Sequence, residues 1–129
     1  MKANELTQED VQFINQMART IKTTMRLPNP NVFFSWGAHD FHATLYDGMA
    51  GLQFTTNGFL HKGKVIVTYN EGADLFELYL FNADGTVKYK ETDLYCDQLQ
   101  EVIDRHVETT NADSDEYQTD IANEQYIFN

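Results

Sequence analysis

Cysteine, proline and basic residues are scarce in this sequence. The 129 residues include one cysteine, two prolines and nine lysines and arginines, against twenty aspartates and glutamates. A single cysteine, Cys96, excludes an internal disulfide and a structural zinc site built from cysteines, which takes about four ligands. Few cationic side chains and a net charge of -11 argue against direct nucleic-acid binding, which depends on Lys and Arg at the phosphates.

Long apolar runs are also missing. A membrane-spanning helix needs about 20 consecutive apolar residues, whereas the longest stretches here are as brief as residues 78–81. The first residues likewise do not lead into the apolar core of a secretory signal. We therefore expect no membrane partner and a cytoplasmic location.

The acidic residues that are present concentrate toward the C-terminal end. Residues 1–93 have eight basic and eleven acidic side chains, whereas residues 94–129 have one basic and nine acidic side chains. Residues 109–116 contain no apolar side chain larger than alanine, which is typical of a linker. The length is typical of one domain. We predict a domain over residues 1–108, followed by an acidic tail, 109–129, that either docks on it or extends to a partner.

Both ends of the domain are predicted to be helical. Thr7 is a typical N-cap, and apolar residues recur every three or four positions until Pro28 ends the pattern. A second helix is predicted over about 94–108, with Asp93 as its N-cap. Each helix has one apolar strip, so each is expected to pack against a sheet.

Between the helices, the pattern of apolar residues changes to a period of two. Turn residues separate the alternating segments at regular intervals, which predicts an antiparallel meander of five or six strands. The predicted strands are residues 32–36, 41–46, 51–56, 59–69, 75–81 and 86–91. Helices with a single apolar face favour an α+β fold with both helices on one face of the sheet.

Two turns give a predicted register. An Asn-Gly pair is expected to form a two-residue type I′ loop that places Phe54 opposite His61. A four-residue loop at 82–85 is expected to place Glu77 opposite Lys90, a charge-matched cross-strand pair.

In this arrangement one sheet face has no helix on it. It is expected to present aromatic side chains among lysines, a composition typical of protein contacts. The candidate partner-binding residues are Tyr79, Phe81, Lys88 and Lys90 on the face and Asp113, Asp115 and Glu116 in the tail. A protein partner, a second copy of the chain in a homodimer, and the folded-back acidic tail are the alternative occupants.

A weaker hypothesis places a small ligand near the first hairpin. The candidate residues are Trp36, His39, His42 and His61. Residues i and i+3 of a strand point to opposite faces, so His39 and His42 converge only if His39 lies in the turn. Surface histidines and a core tryptophan are the simpler interpretation, and a pocket lined by Trp36, Phe41 and Tyr46 is the alternative.

No phosphate-binding loop, nucleophile elbow or zinc-protease motif is present in the sequence. We expect a non-enzymatic, acidic protein-interaction domain of the adaptor, immunity or chaperone kind, without a cofactor or metal. Its overall style resembles that of small bacterial proteins carried by mobile elements, which implies a bacterial source but no activity. One alternative is a small-ligand or metal-binding domain. Another is a nucleic-acid mimic that inhibits a basic partner through Asp97, Glu101, Asp104, Glu108, Asp113, Asp115 and Glu116.

Overall fold

A computed structural model describes residues 5–108 of the chain. Its helices are α1 Gln8–Arg26, α2 Pro30–Ser35 and α3 Leu99–Val107. Its strands are β1 His39–Tyr46, β2 Met49–Asn57, β3 Lys62–Asn70, β4 Leu75–Phe81 and β5 Val87–Leu94. The predicted order of N-terminal helix, antiparallel sheet and C-terminal helix is confirmed. The predicted acidic tail, residues 109–129, lies outside the described residues.

The first helix begins at the predicted cap. The Thr7 hydroxyl accepts a hydrogen bond from the Asp10 amide at 3.1 Å, and the Asp10 carboxylate accepts one from the Thr7 amide at 3.0 Å. This reciprocal capping box satisfies two amides that have no partner within the helix. The predicted apolar strip is buried through Ile14, Ala18, Ile21 and Met25.

The strand predicted at residues 32–36 is wrong, because these residues belong mainly to α2. The Asn29 side chain caps this helix by accepting from the Asn31 amide at 3.1 Å, and Pro30 occupies the first turn. A proline fits there because its missing amide would have no helical partner. This helix start outweighs the β propensity of Val32 and the phenylalanines after it, so the sheet has five strands.

The strands form one antiparallel sheet in the order β1-β2-β3-β4-β5, as expected for a meander. A two-residue turn at Asp47 and Gly48 joins β1 to β2, and Tyr46 pairs directly with Met49. Both turn residues have positive φ, 52° and 75°, which is the requirement of a type I′ turn.

The predicted register between β2 and β3 is wrong. Phe54 pairs with Val65 and not with His61, because residues 58–61 form a loop of four residues. Phe59, which alternation would have placed in the core, is 56% exposed.

Gly58 belongs to this loop for a reason other than turn geometry. Its φ is not positive. A Cβ at this position would lie 2.5 Å from the carbonyl oxygen of Val107, at the end of α3. The glycine therefore permits close packing of a helix end against the loop.

The predicted register between β4 and β5 is also wrong. Lys90 pairs with Tyr79 and not with Glu77, because the loop has five residues, 82–86, so that Phe81 pairs with Val87, and the ladder shifts by one further residue between Leu80 and Phe81. Such an irregularity inserts an extra residue on one strand and changes every pairing beyond it.

All three helices pack on the same face of the sheet, which confirms the two-layer arrangement. We call this the helix-covered face. The main core there comprises Ala18, Ile21, Met25, Phe33, Trp36, Leu52, Phe54, Val65, Val67, Phe76, Leu78, Leu80, Leu94, Leu99, Val102, Ile103 and Val107.

The last helix is shorter than predicted. It begins at Leu99, because Leu94 is still part of β5, where it pairs with Phe76 and is buried. Tyr95, which lies within the predicted helix, precedes α3 and is exposed, and its amide donates to the Gln98 side chain at 3.0 Å.

A buried glutamine links α3 to the end of α1. The Gln100 side chain donates to the carbonyl oxygens of Met25 and Asn29, at 2.7 and 2.9 Å. These bonds satisfy carbonyls where the first helix ends.

None of the described helices is both long and apolar enough to cross a bilayer.

Candidate functional site

The side of the sheet away from the helices carries a separate apolar cluster. We call this side the second sheet face and define it by Tyr46, Ile66, Tyr79 and Phe81, flanked by Lys64 and Lys90. Strand alternation places these residues there, because Ile66 lies between two core residues of β3 and Tyr79 and Phe81 flank the core residue Leu80 on β4.

This cluster is buried, whereas the sequence left open whether the face is exposed or covered. Ile66, Tyr79 and Phe81 are 2%, 3% and 4% exposed. Part of the cover is the Tyr46 ring, which packs edge-on against the rings of Tyr79 and Phe81 at centroid distances of 4.8 and 5.7 Å. Within residues 5–108, no helical side chain belongs to the cluster.

Tyr46 reaches across the sheet over small residues. It lies on the edge strand β1, whereas Tyr79 lies on β4. Gly51 and Thr68 pair with each other between them in the register of the sheet. A Cβ on Gly51 would lie 2.3 Å from the carbonyl oxygen of Val67, so β2 and β3 approach more closely here than a side chain would allow.

Two lysines lie over the aromatic rings of the second sheet face. Lys64 Nζ is 4.4 Å from the centroid of the Phe81 ring, and Lys90 Nζ is 5.4 Å from that of Tyr79. A cation over an aromatic face is stabilised by the ring quadrupole. Lys62 alternates onto the same side of β3 as Lys64, so the end of this face near the loop of residues 58–61 is positively charged.

A carboxylate lies on the same face, away from the lysines. The Tyr79 hydroxyl donates to Glu77 at 2.7 Å. Burial, and then this hydrogen bond and the charge of Glu77, raise the pKa of Tyr79 above its ordinary value of 10. The phenol therefore stays protonated at neutral pH, as a hydrogen-bond donor already bound to Glu77.

His61 and the candidate residue Lys88 meet on the other side of this end, because the His61 ring lies 3.6 Å from the Cβ position of Gly63, which alternates with Lys64 onto the helix-covered side. His61 Nε2 lies 3.1 Å from the carbonyl oxygen of Lys64, and its Nδ1 lies 3.3 Å from Lys88 Nζ. Protonation at Nε2 satisfies both contacts, because Nε2 then donates and Nδ1 accepts. Burial lowers the pKa of His61, the backbone hydrogen bond partly opposes this, and the Lys88 charge lowers it further.

The end of α3 docks against the same loop. The Val107 carbonyl accepts from the amides of Leu60 and His61, at 2.7 and 3.2 Å. The buried Glu108 carboxylate accepts from the Phe59 amide at 3.0 Å. Residue 108 therefore lies where α3 meets the loop that joins β2 to β3, at the same end of the sheet as Lys62 and Lys64 but on the side of the helices.

One polar atom of this face has no hydrogen-bond partner among residues 5–108. Thr68 is buried on β3, two positions after Ile66, and its hydroxyl bonds to none of these residues. A buried hydroxyl without a partner costs free energy, so Thr68 is a polar position that a covering segment can satisfy.

The three candidate histidines are not brought together in one site. His39 and His42 are exposed on β1, with His39 Nδ1 2.8 Å from the carbonyl oxygen of Gly37. His61 is held by Lys64 and Lys88 instead. Among residues 5–108, no group of three or more His, Cys, Asp or Glu is placed to hold a metal ion.

Trp36 is a core residue whose polar atom is already bonded. It is fully buried, and its indole N–H donates to Asp104 at 3.0 Å. A pocket lined by Trp36, Phe41 and Tyr46 is wrong, because Phe41 packs on the helix-covered face and Tyr46 on the second.

Some of the candidate acidic residues lie in the described fold and others in the tail. Asp113, Asp115 and Glu116 lie outside the described residues. On α3 and at its end, Asp104 bonds Trp36 and Glu108 bonds the Phe59 amide, so these two carboxylates have roles within the fold.

Sequence reasoning missed Lys64 and the contribution of Tyr46 to this face. Alternation with Ile66 along β3 could have placed Lys64. Nothing local could have placed Tyr46 against Tyr79, because that contact depends on the close approach of neighbouring strands.

Comparison with known proteins adds no family to these observations. No protein-family model matches the chain, and no curated protein and no solved structure matches it either.

Proposed function

We propose that this chain is a non-enzymatic, cytoplasmic protein-interaction domain that binds an acidic segment with aromatic side chains on its second sheet face. The observation that supports this best is the cluster of Tyr79 and Phe81 beneath Lys64 and Lys90, on a face to which no described helix contributes.

The chemistry of the face selects the kind of segment. Apolar and aromatic side chains supply contact area, and aromatic residues and cations are enriched where proteins bind one another. The lysines favour carboxylates near the loop at 58–61, whereas Glu77 disfavours them farther along. A segment with its acidic part at the lysines and its apolar part on the rings fits this polarity.

The test compares the full chain with two charge-reversed variants. One carries Lys64→Glu and Lys90→Glu on the second sheet face. The other carries Arg19→Glu and Arg26→Glu on α1, which changes the net charge equally on the opposite side of the protein. Each tagged protein is cross-linked to partners in an extract of the source cells, and the captured partner is purified and titrated.

We expect the lysine variant to bind the purified partner about tenfold or more weakly, because two attractive contacts become repulsive. The arginine variant should bind like the unchanged chain, and added salt should weaken binding steeply. Equal affinity in both variants would place binding elsewhere. Recovery of no partner, or of only a second copy of this chain, would also overturn the proposal.

A further inference from the structure

We infer that residues 109–129 of the same chain occupy the second sheet face when no partner is bound, so that the chain carries a competitor for its own docking surface. The proposed competition with a partner rests on the proposed function, whereas the occupancy of the face by residues 109–129 does not. Four observations support this occupancy: the burial of the face, the place where the described chain ends, the order of acidic and apolar residues in the segment, and the length of the segment.

The burial of the face requires a cover. Ile66, Tyr79 and Phe81 are at most 4% exposed, but a two-layer fold covers only one side of its sheet. Tyr46 and the flanking lysines supply part of the cover from within the sheet. No residue of α1, α2 or α3 adds to it.

The described chain ends at the same end of the sheet as Lys62 and Lys64. Val107 and Glu108 bond the loop of residues 58–61. Lys88 bonds the same loop, with its Nζ 3.4 Å from the Leu60 carbonyl oxygen. Residue 109 therefore follows at the end of the sheet that carries Lys62 and Lys64, on the side of the helices, and the segment must pass around this end to reach the second sheet face.

The sequence beyond this point has its chemistry in the matching order. Residues 109–129 have five acidic and no basic side chains. Three of the acidic residues come first, within 113–116, close in sequence to the lysine-rich end. The apolar side chains follow, in the order Tyr117, Ile121, Tyr126, Ile127 and Phe128.

The segment is long enough to cross the face. Its 21 residues include eight, 109–116, that reach about 26 Å when extended. A seven-residue strand such as β4 spans about 24 Å. The remaining residues can therefore lie over Tyr79 and Phe81, and a polar group of the segment can satisfy the Thr68 hydroxyl.

The direct test is the nuclear Overhauser effect in isotope-labelled full chain at low concentration. We expect cross-peaks between side-chain protons of residues 117–128 and those of Tyr46, Ile66, Tyr79 and Phe81. Their absence in a folded monomer would overturn the inference. Cross-peaks that arise only between labelled and unlabelled chains would do the same, because the occupant would then be a second copy. Cross-peaks from residues 1–4 instead would assign the cover to the other terminus and overturn it as well.

A variant outside the described core keeps the test independent of folding. Ile127→Ser with Phe128→Ser removes apolar contacts, and Gln118→Ser with Gln125→Ser is the matched polar control. We expect the first pair to shift the resonances of β3 and β4 side chains on the second sheet face and to leave the helix-covered face unchanged. Unchanged resonances in both variants would contradict the occupancy.

Partner binding separates this inference from the proposed function. If both hold, Ile127→Ser with Phe128→Ser binds the partner several-fold more tightly than the unchanged chain, because its competitor is weakened. Cross-peaks without any partner would sustain the occupancy and overturn the proposed function. Partner binding that depends on Lys64 and Lys90, without cross-peaks, would sustain the function and overturn the occupancy.

Discussion

The two faces of the sheet bury apolar side chains in different ways. On the helix-covered face, three helices close over the sheet, and the buried polar atoms of Trp36 and Gln100 are bonded to groups on neighbouring elements. On the second sheet face, a smaller cluster lies among lysines, and the Thr68 hydroxyl has no partner among the described residues.

This difference separates what builds the fold from what the fold can bind. A packed helix layer with satisfied polar atoms is a permanent interior. A small aromatic cluster rimmed by cations, with one unsatisfied hydroxyl, has the composition of a contact surface. The same sheet therefore serves as a structural layer on one side and as a candidate docking surface on the other.

Equivalent phenylalanines on the two faces give the largest expected effects. We expect Phe33→Ala, on the helix-covered face, to lower the free energy of unfolding by about 3–5 kcal/mol, because it leaves a cavity among packed rings. Phe81→Ala should cost at least about 1 kcal/mol less, because a cover that can separate relaxes into the space. Urea unfolding measures both, and equal losses would contradict the distinction between the faces.

The close approach of β2 and β3 gives an intermediate effect. Gly51→Ala should destabilise the protein by about 1–3 kcal/mol, because its Cβ would meet the Val67 carbonyl oxygen at 2.3 Å. Gly72→Ala is the matched control, since its nearest contact would be the Asn70 side chain at 3.7 Å. A loss of stability as large in the Gly72 variant would show that the strand approach is not the cause.

The smallest expected effect is on the dependence of stability on pH. The pKa of His61 is lowered from 6.5 in the folded protein, mainly by burial. Between that lowered pKa and 6.5, the unfolded chain binds more protons at His61 than the folded protein does. The contribution of neutral His61 to the free energy of unfolding is therefore fully present above about pH 6.5 and is lost as the pH falls.

The variant His61→Gln should therefore show a shallower loss of stability as the pH falls below about 6.5, measured by urea unfolding. The pKa of His106 is also lowered, mainly by burial, so part of the slope should persist in this variant. A slope identical to that of the unchanged chain would mean that His61 is not held neutral by the fold.

Much of the fold can be predicted from the sequence, because it depends on interactions between residues that are close together in the chain. The Thr7 cap, the apolar strip of α1 and the period of two in the sheet all depend on residues a few positions apart. The same alternation assigns Tyr79 and Phe81 to the face opposite the helices, so the candidate site was partly visible in the sequence.

The predictions that are wrong concern positions where contacts between residues far apart in the sequence determine the structure. The Asn57-Gly58 pair has the composition of a type I′ turn, but Gly58 is small because the end of α3 packs against it. The segment after Asn29 has the apolar composition of a strand but follows a helix cap and a proline. The sequence left open whether the second sheet face is exposed or covered, since its burial depends on more than the strands themselves.

The most direct measurement of the central claim is a double-mutant cycle on the full chain, read out as the free energy of unfolding. One variant reverses Lys64 and Lys90 to glutamate, a second reverses Asp113 and Asp115 to lysine, and a third carries all four changes. The account predicts that the combined variant recovers stability, with a coupling of about 0.5 kcal/mol or more that shrinks in high salt. Strictly additive losses at low salt would contradict it, because the acidic segment and the lysines would then not interact.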